Sequence, residues 1–243
     1  MKEYVCDLHI HTCLSPCASL DMSPKRIVAE ATSKGIDVIA ITDHNSAENV
    51  AAVSRCAGET LAVLAGLEVT SMEEVHVLAL FDDLDAALEL QTLVHENLPG
   101  TNDEDAFGIQ PIVNADNEVE GFSDRLLIGA TTLPFDTIVE EISSGGGLAI
   151  AAHVDREAYS VISQLGFVPP NVKLDGLEVS KRLTREDGLD EFSDEGRYPI
   201  IRSSDAHWPE DIGAATTTFA LKSPRCAEIR MGLRNQAGRK VLA

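Results

Sequence analysis

Short apolar runs alternate with segments of helical periodicity along most of this sequence. Residues Tyr4 to Leu8 predict a first strand. Ser23 and Pro24 then supply an N-cap and a first helical position; Ile27, Val28 and Ala31 form an apolar face, and Gly35 a stop. Val38 to Thr42 predicts a buried strand, 47–56 a helix, 61–69 and 75–81 two further strands, and 85–96 a third helix. Such alternation predicts an α/β fold with a parallel sheet or an α/β barrel.

The rhythm breaks between 97 and 134, a polar stretch with four glycines and the acidic run Asp103-Glu104-Asp105. Inside it, 110–113 and 119–122 flank Asn114-Ala115-Asp116-Asn117 as a small hairpin. Segments of this length without regular structure are uncommon in compact domains and often serve as lids or binding loops. The chain is therefore expected to be a single barrel domain over 1–243, with 97–134 inserted across its site. Alternation resumes with a helix at 135–143 and a strand at 148–152. Gly145-Gly146-Gly147 between them lacks the Lys-Ser/Thr ending of a phosphate loop and reads as a helix stop. A final strand at 216–221 and a helix at 224–236 close the pattern.

Histidines punctuate this pattern. Of seven, six lie in five short segments at strand ends: Asp7-Leu8-His9-Ile10-His11-Thr12, Ile41-Thr42-Asp43-His44, Glu74-Val75-His76-Val77, Ala151-Ala152-His153 and Ser204-Asp205-Ala206-His207. Residues two apart on a strand share a face, so His9 and His11 project together, with Asp7 beside them and Leu8 and Ile10 opposite. Asp205 and His207 repeat that spacing. Asp43 is placed to orient a nearby imidazole. Glu68, after Ala65-Gly66-Leu67, is a carboxylate that can bridge two cations. A lone strand histidine such as His76 is more often a core residue, and His95 is expected on the surface of its helix. The set as a whole points to a polynuclear metal site at strand C-terminal ends, where barrel active sites assemble.

Composition narrows the classes. The 243 residues, 44% hydrophobic and 24% charged, suffice for a substantial core. A net charge of −21 argues against nucleic acid and anionic membranes as partners, because both are held by clustered Lys and Arg. A small anionic substrate stays compatible, since bound divalent cations can dominate the local field. No segment reads as a signal peptide or a membrane span, so a cytoplasmic protein is expected. Five scattered cysteines do not form a disulfide framework and fit reduced thiols.

Together the motifs around His9 and His11, Asp43-His44, His153 and Asp205-Ala206-His207 resemble the PHP (polymerase and histidinol phosphatase) family of metal-dependent phosphoesterases. The resemblance runs in order from Asp7 to about Ile212. It implies a distorted (β/α)7 TIM-like barrel of the PHP type with two or three divalent metal ions. It further implies that His9, His11, Glu68 and Asp205 hold the first metal. Glu68, His76 and His153 would hold the second, and His44 and His207 a third. Family members often carry Ser-Asp-Gly after the His pair, whereas this chain has Ser15-Pro16-Cys17, with Asp21 beyond. Cys17 or Asp21 would then complete the third site. Asp21 is favoured, because a hard oxygen suits a site that must release phosphate.

The chemistry expected is hydrolysis of a phosphoester bond by attack of a metal-bridging water. Mixed imidazole and carboxylate ligation suits Zn, Mn or Fe. A planar guanidinium fork suits phosphate, and Arg156, three residues after His153, heads the candidates, followed by Arg182 and Arg125. Glu178, at an apparent strand end, is expected to face substrate or support a ligand. The substrate expected is a small phosphorylated metabolite or nucleotide. The alternatives are a nuclease or histidinol-phosphate-type phosphatase, and, from a different class, a metal-binding regulatory protein without turnover. A metal-dependent amidohydrolase shares the His-x-His start but fits the later Asp-x-His spacing less well.

Overall fold

The computed structural model describes residues 1–192 and 197–243. β1 (Lys2–Ile10), α1 (Pro24–Ser33), β2 (Val38–Ile41), α2 (Val50–Ala57) and β3 (Ala62–Thr70) follow the expected alternation, and β4 (His76–Phe81) and α3 (Leu84–Glu96) come next. The 97–134 segment holds α4 (Glu104–Phe107) and a hairpin of β5 (Pro111–Val113) and β6 (Val119–Phe122). After it come α5 (Phe135–Ser144), β7 (Leu148–Ala151), α6 (Val161–Leu165), β8 (Gly176–Val179) and α7 (Arg185–Phe192). β9 (Ile200–Arg202), β10 (Thr217–Leu221), α8 (Cys226–Leu233) and β11 (Lys240–Val241) complete it. No helix among the described residues is long and apolar enough to cross a membrane.

The strands form one sheet in the order β11-β10-β1-β2-β3-β4-β7-β8-β9. It curls until its far side returns to β1: Ile10 bridges Ala206, just past β9, with the His11 N–H donating to the Ala206 carbonyl at 3.0 Å. β1, β2, β3, β4, β7, β8 and β9 thus close as a distorted TIM-like barrel. Asp7 helps fasten the seam, accepting from the Ser204 N–H at 3.0 Å and the Gly213 N–H at 2.8 Å.

Two expectations need correction. The sheet is not wholly parallel, because β4 runs antiparallel to both β3 and β7. Only Ser71 to Val75 join β3 to β4, too few for the crossover of a dozen or so residues that a parallel pair needs. His76 is therefore the first residue of its strand rather than near a C-terminal end, and the reversal carries it to the same rim as the other histidines.

Strict alternation along β1 also fails. Its pairing with β2 shifts register between Asp7 and Ile10, which inserts an extra residue. Leu8 consequently joins the cluster inside the curl, with Cys6, Val38, Ala40, Leu78 and Ile150. Ile10 joins the outer layer, where Ile39, Ile41 and Leu67 meet the helices. Bulges of this kind are frequent beside active sites because they re-aim a side chain. Here the bulge separates Asp7, which goes to the seam, from His9 and His11.

Ser23 occupies the N-cap position of α1 as expected, but its side chain makes no capping hydrogen bond. Pro24 at the first helical position and Gly35 at φ +69° delimit that helix. Gly66 is required by space. A Cβ there would lie 2.8 Å from the Ala79 carbonyl oxygen and 2.9 Å from Thr42 Cγ2, between β2 and β4. Gly66→Ala is expected to destabilise the fold by about 1–3 kcal/mol through overpacking. Equilibrium urea unfolding measures this, and unchanged stability would refute the close packing of these strands.

Candidate metal centre

The curl brings eight of the nine candidate ligands to one rim. His9 and His11 come from the end of β1, His44 from the turn after β2, Glu68 from β3 and His76 from the start of β4. His153 follows β7, and Asp205 and His207 follow β9. A parallel bridge between His44 and Glu68 extends the β2–β3 pairing and sets these two side by side. His153 and Asp205 sit at φ 28° and 48°, in the left-handed region that non-glycine residues avoid. Such backbone costs on the order of 1–3 kcal/mol each and persists where surrounding structure enforces it.

Glu68 lies at the centre, 1% exposed. Its Oε1 is 2.8 Å from His76 Nδ1, 3.1 Å from His153 Nε2 and 3.4 Å from His9 Nε2. Its Oε2 is 3.0 Å from His44 Nδ1 and 3.4 Å from His11 Nε2. Asp205 Oδ1 lies 3.2 Å from His9 Nε2 and 3.1 Å from His11 Nε2. Burial pushes the Glu68 carboxyl up, but His76, His9 and His44 outweigh it and hold the group well below the usual carboxylate range. Burial likewise pushes His9 down, and the Asp205, Glu178 and Glu68 carboxylates reverse this and hold it well above its ordinary value.

Whether a cation fits is decided by where the protons sit. Glu178 is fully buried and places its oxygens 3.1 and 3.2 Å from His9 Nδ1, so that nitrogen carries the ring proton. The Ser15 hydroxyl donates to Asp43 Oδ1 at 2.7 Å and must therefore accept from His11 Nδ1, 3.0 Å away. In neutral rings both Nε2 atoms then bear lone pairs. These face each other at 3.1 Å and converge with Asp205 Oδ1. Three facing lone pairs repel unless a positive charge lies among them, which is a proton on His9 when no metal is bound and a divalent cation when one is. His153 Nδ1 is in addition buried without a hydrogen-bond partner, and His44 Nδ1 has the Glu68 carboxylate beside it at 3.0 Å. Groups that can share one ion are His9 with His11 and Asp205, His44 with Glu68 and His76, and His11 with His44 and His207. The donors fit divalent metal ions.

Asp21 is not part of this cluster. It sits on an exposed turn with its backbone N–H held by the Ser19 hydroxyl at 3.1 Å. The reason is local: the Ser19 N–H donates to the His207 carbonyl at 2.8 Å, which folds the turn so that Cys17, not Asp21, meets the histidines. The Cys17 thiol faces His207 and His44. Burial pushes the thiol up, but these contacts outweigh it and bring its pKa down to about 7. All five cysteines are free.

The supporting groups were only partly legible. Asp43 touches no imidazole; it accepts from the Thr12 N–H and hydroxyl, both at 2.7 Å, and acts on His11 through Ser15, which no motif flags. Glu178 faces His9 rather than substrate. His95 is half-buried, not on the surface, with Nε2 3.0 Å from the Asn45 carbonyl.

Of the arginines, Arg156 lies at the rim, its Nη2 2.5 Å from Asp205 Oδ2 and its side chain 33% exposed. Arg156 and Arg182 line one cavity of about 460 Å³ together with His76, His153, Asp155 and Tyr159. The Tyr159 ring stacks on His76 at 4.5 Å. Arg125 lies elsewhere, donating to the His95 carbonyl at 2.8 Å.

A family profile described as PHP domain matches residues 7–160, and one described as PHP-associated matches 190–237. The chain belongs to the PHP domain family. No curated protein matches the sequence. Among solved structures, the lesion-specific endonuclease Q of Pyrococcus furiosus aligns with a TM-score of 0.74 at 19% identity, covering 99% of this chain and 58% of that one. Endonuclease Q in complex with a 27-mer duplex, an abasic lesion at its active site, gives 0.75 at 19% identity with the same coverage. This PHP chain thus spans 58% of the length of those proteins. A candidate metal-dependent phosphoesterase of Bifidobacterium adolescentis gives 0.56 at 18% identity, over 83% of this chain and 87% of that one. These likenesses show a shared PHP-type barrel fold.

Glu178→Gln is expected to weaken metal binding about 10–100-fold while leaving the fold intact, since it removes the carboxylate behind His9. Asp21→Ala is expected to leave affinity and stoichiometry unchanged. Metal titration of both variants is the check, and a metal loss in Asp21→Ala would contradict the geometry of the turn.

Proposed function

We propose that this chain is a metal-dependent phosphoesterase that hydrolyses a small phosphorylated metabolite or nucleotide by attack of water. The observation that carries this reading is the convergence of His9, His11 and Asp205 lone pairs around Glu68, beside a cavity lined by two arginines. His9, His11 and Asp205 would hold one ion and His76 and His153 a second, with Glu68 serving both. His44 and His207 would contribute to a third. Divalent ions such as Zn, Mn or Fe would supply Lewis acidity and lower the pKa of an attacking water.

The chain's own residues do the rest. Glu178 and Ser15 hold protons on the outer nitrogens of His9 and His11, which turns both Nε2 atoms inward. Arg156, paired with Asp205 at the rim, is placed to share its guanidinium with a phosphoryl oxygen. Arg182 lines the same cavity, whose size suits a metabolite or nucleotide. The 97–134 segment is proposed as cover for this rim. Its Leu127 and Gly129 carbonyls accept from the Asn45 amide, both at 2.8 Å, next to His44.

A phosphodiester nuclease is the second reading, favoured by the endonuclease Q complex, where the same fold holds a DNA duplex at its active site. The net charge of −21 therefore does not by itself exclude nucleic acid. Assays with Mn, Zn and Fe against phosphomonoesters, nucleoside bisphosphates, single-stranded DNA and an abasic duplex separate the two. Turnover of the small esters is expected, abolished in His9→Ala and Asp205→Asn. Arg182→Ala is expected to raise KM about tenfold with little change in kcat, as for lost uniform binding. Activity confined to DNA would select the nuclease, and bound metal without any turnover would overturn both.

A further inference from the structure

One wall of the arginine-lined cavity is a short connection, residues 153–160, that leaves β7 and enters α6. Hydrogen bonds pin it along its length. The Arg156 N–H donates to the His153 carbonyl at 2.9 Å. Asp155 accepts from the Ser180 N–H at 2.7 Å and from the Ser180 hydroxyl at 2.6 Å. The buried Ser160 hydroxyl donates to the Arg156 carbonyl at 2.8 Å and accepts from the Ser163 N–H at 3.0 Å.

Tyr159 stands in this wall at φ 60°, a conformation that glycine takes freely and a bulky residue avoids. Its carbonyl accepts from the His76 N–H at 2.9 Å. Its ring lies nearly parallel to that of His76, with 18° between the planes and centroids 4.5 Å apart, so one face is occupied. The residue is nevertheless 42% exposed, and among the described residues no second ring or cation covers the other face. Partial packing of this kind offers little to offset the strain, and strained residues cluster at ligand sites.

We infer that Tyr159 is a specificity-determining residue whose open face receives a planar ring of the substrate, so that the phosphoester hydrolysed carries a nucleobase rather than a sugar alone. The inference rests on the phosphoesterase reading above and deepens it by choosing among small esters. Arg156 and Arg182 share the cavity with Tyr159, and the two kinds of group match the two ends of a nucleotide. A guanidinium binds phosphoryl oxygens, and an aromatic side chain stacks on the flat face of a base.

Guanosine monophosphate and the ribose phosphate it contains test this, because they differ only in the base. Calorimetric titration of the metal-free full chain reads binding without turnover, and kcat and KM with Mn read it during turnover. The nucleotide is expected to bind at least about tenfold more tightly and to have the lower KM, as for one base–aromatic stack. Tyr159→Gly suits the backbone at φ 60° and is expected to fold, which circular dichroism verifies. It is expected to bring the two ligands within about twofold of each other, through KM rather than kcat, while Tyr159→Phe keeps the preference. A parallel loss on both ligands in Tyr159→Gly would mark a purely structural role beside His76 and overturn the inference. Equal binding of both by the unsubstituted chain would overturn it too, leaving the phosphoesterase reading standing. Failure to bind or turn over either ligand would remove that reading and the inference together.

Discussion

A carboxylate buried among imidazoles is the constraint on which this structure turns. Glu68 is 1% exposed, and both of its oxygens face nitrogen donors contributed by separate strand ends. Removing such a charge from water costs several kcal/mol unless opposite charge and hydrogen-bond partners compensate. The rim must therefore close around Glu68 with little tolerance. The antiparallel β4, the bulge in β1 and the left-handed backbone at His153 each bring an imidazole to that carboxylate.

Behind the donors stands a second layer that directs protons outward. Glu178 and the Asp43–Ser15 pair each occupy an outer imidazole nitrogen, which leaves the inner nitrogen free as a donor. Asp7 plays a different part: by holding the Ser204 and Gly213 N–H groups it fastens the loop that carries Asp205 and His207 against β1. Ligand geometry and barrel closure are in this way one problem.

Charge and fold bear differently on substrate. The net negative charge disfavours long anionic polymers through the field it creates, yet divalent cations held by the donor cluster, with Arg156 and Arg182 at its edge, would present a local positive site. Endonuclease Q, which this chain matches in fold over 58% of that protein's length, holds a duplex with an abasic lesion at its active site. Substrate class is consequently a property of the rim and its surrounding loops, not of the net charge.

The PHP-type barrel, the order of its motifs and eight of the clustered residues were legible in the amino-acid sequence, because His, Asp and Glu beside apolar strand runs have few other uses. The short acidic α7 (Arg185–Phe192) and the three-residue β9 carry too little periodicity to be read. Asp43 and Glu178 were legible as supporting groups but not the imidazoles they serve, and Ser15 was not legible at all, because a side chain's partner depends on what lies across the barrel, not on its neighbours in sequence. Residue types and spacing by themselves determined that metal-binding chemistry converges on strand ends. Only the tertiary structure decided that Cys17 rather than Asp21 meets His44 and His207, since one backbone hydrogen bond, from Ser19 to His207, sets which side of a turn faces inward.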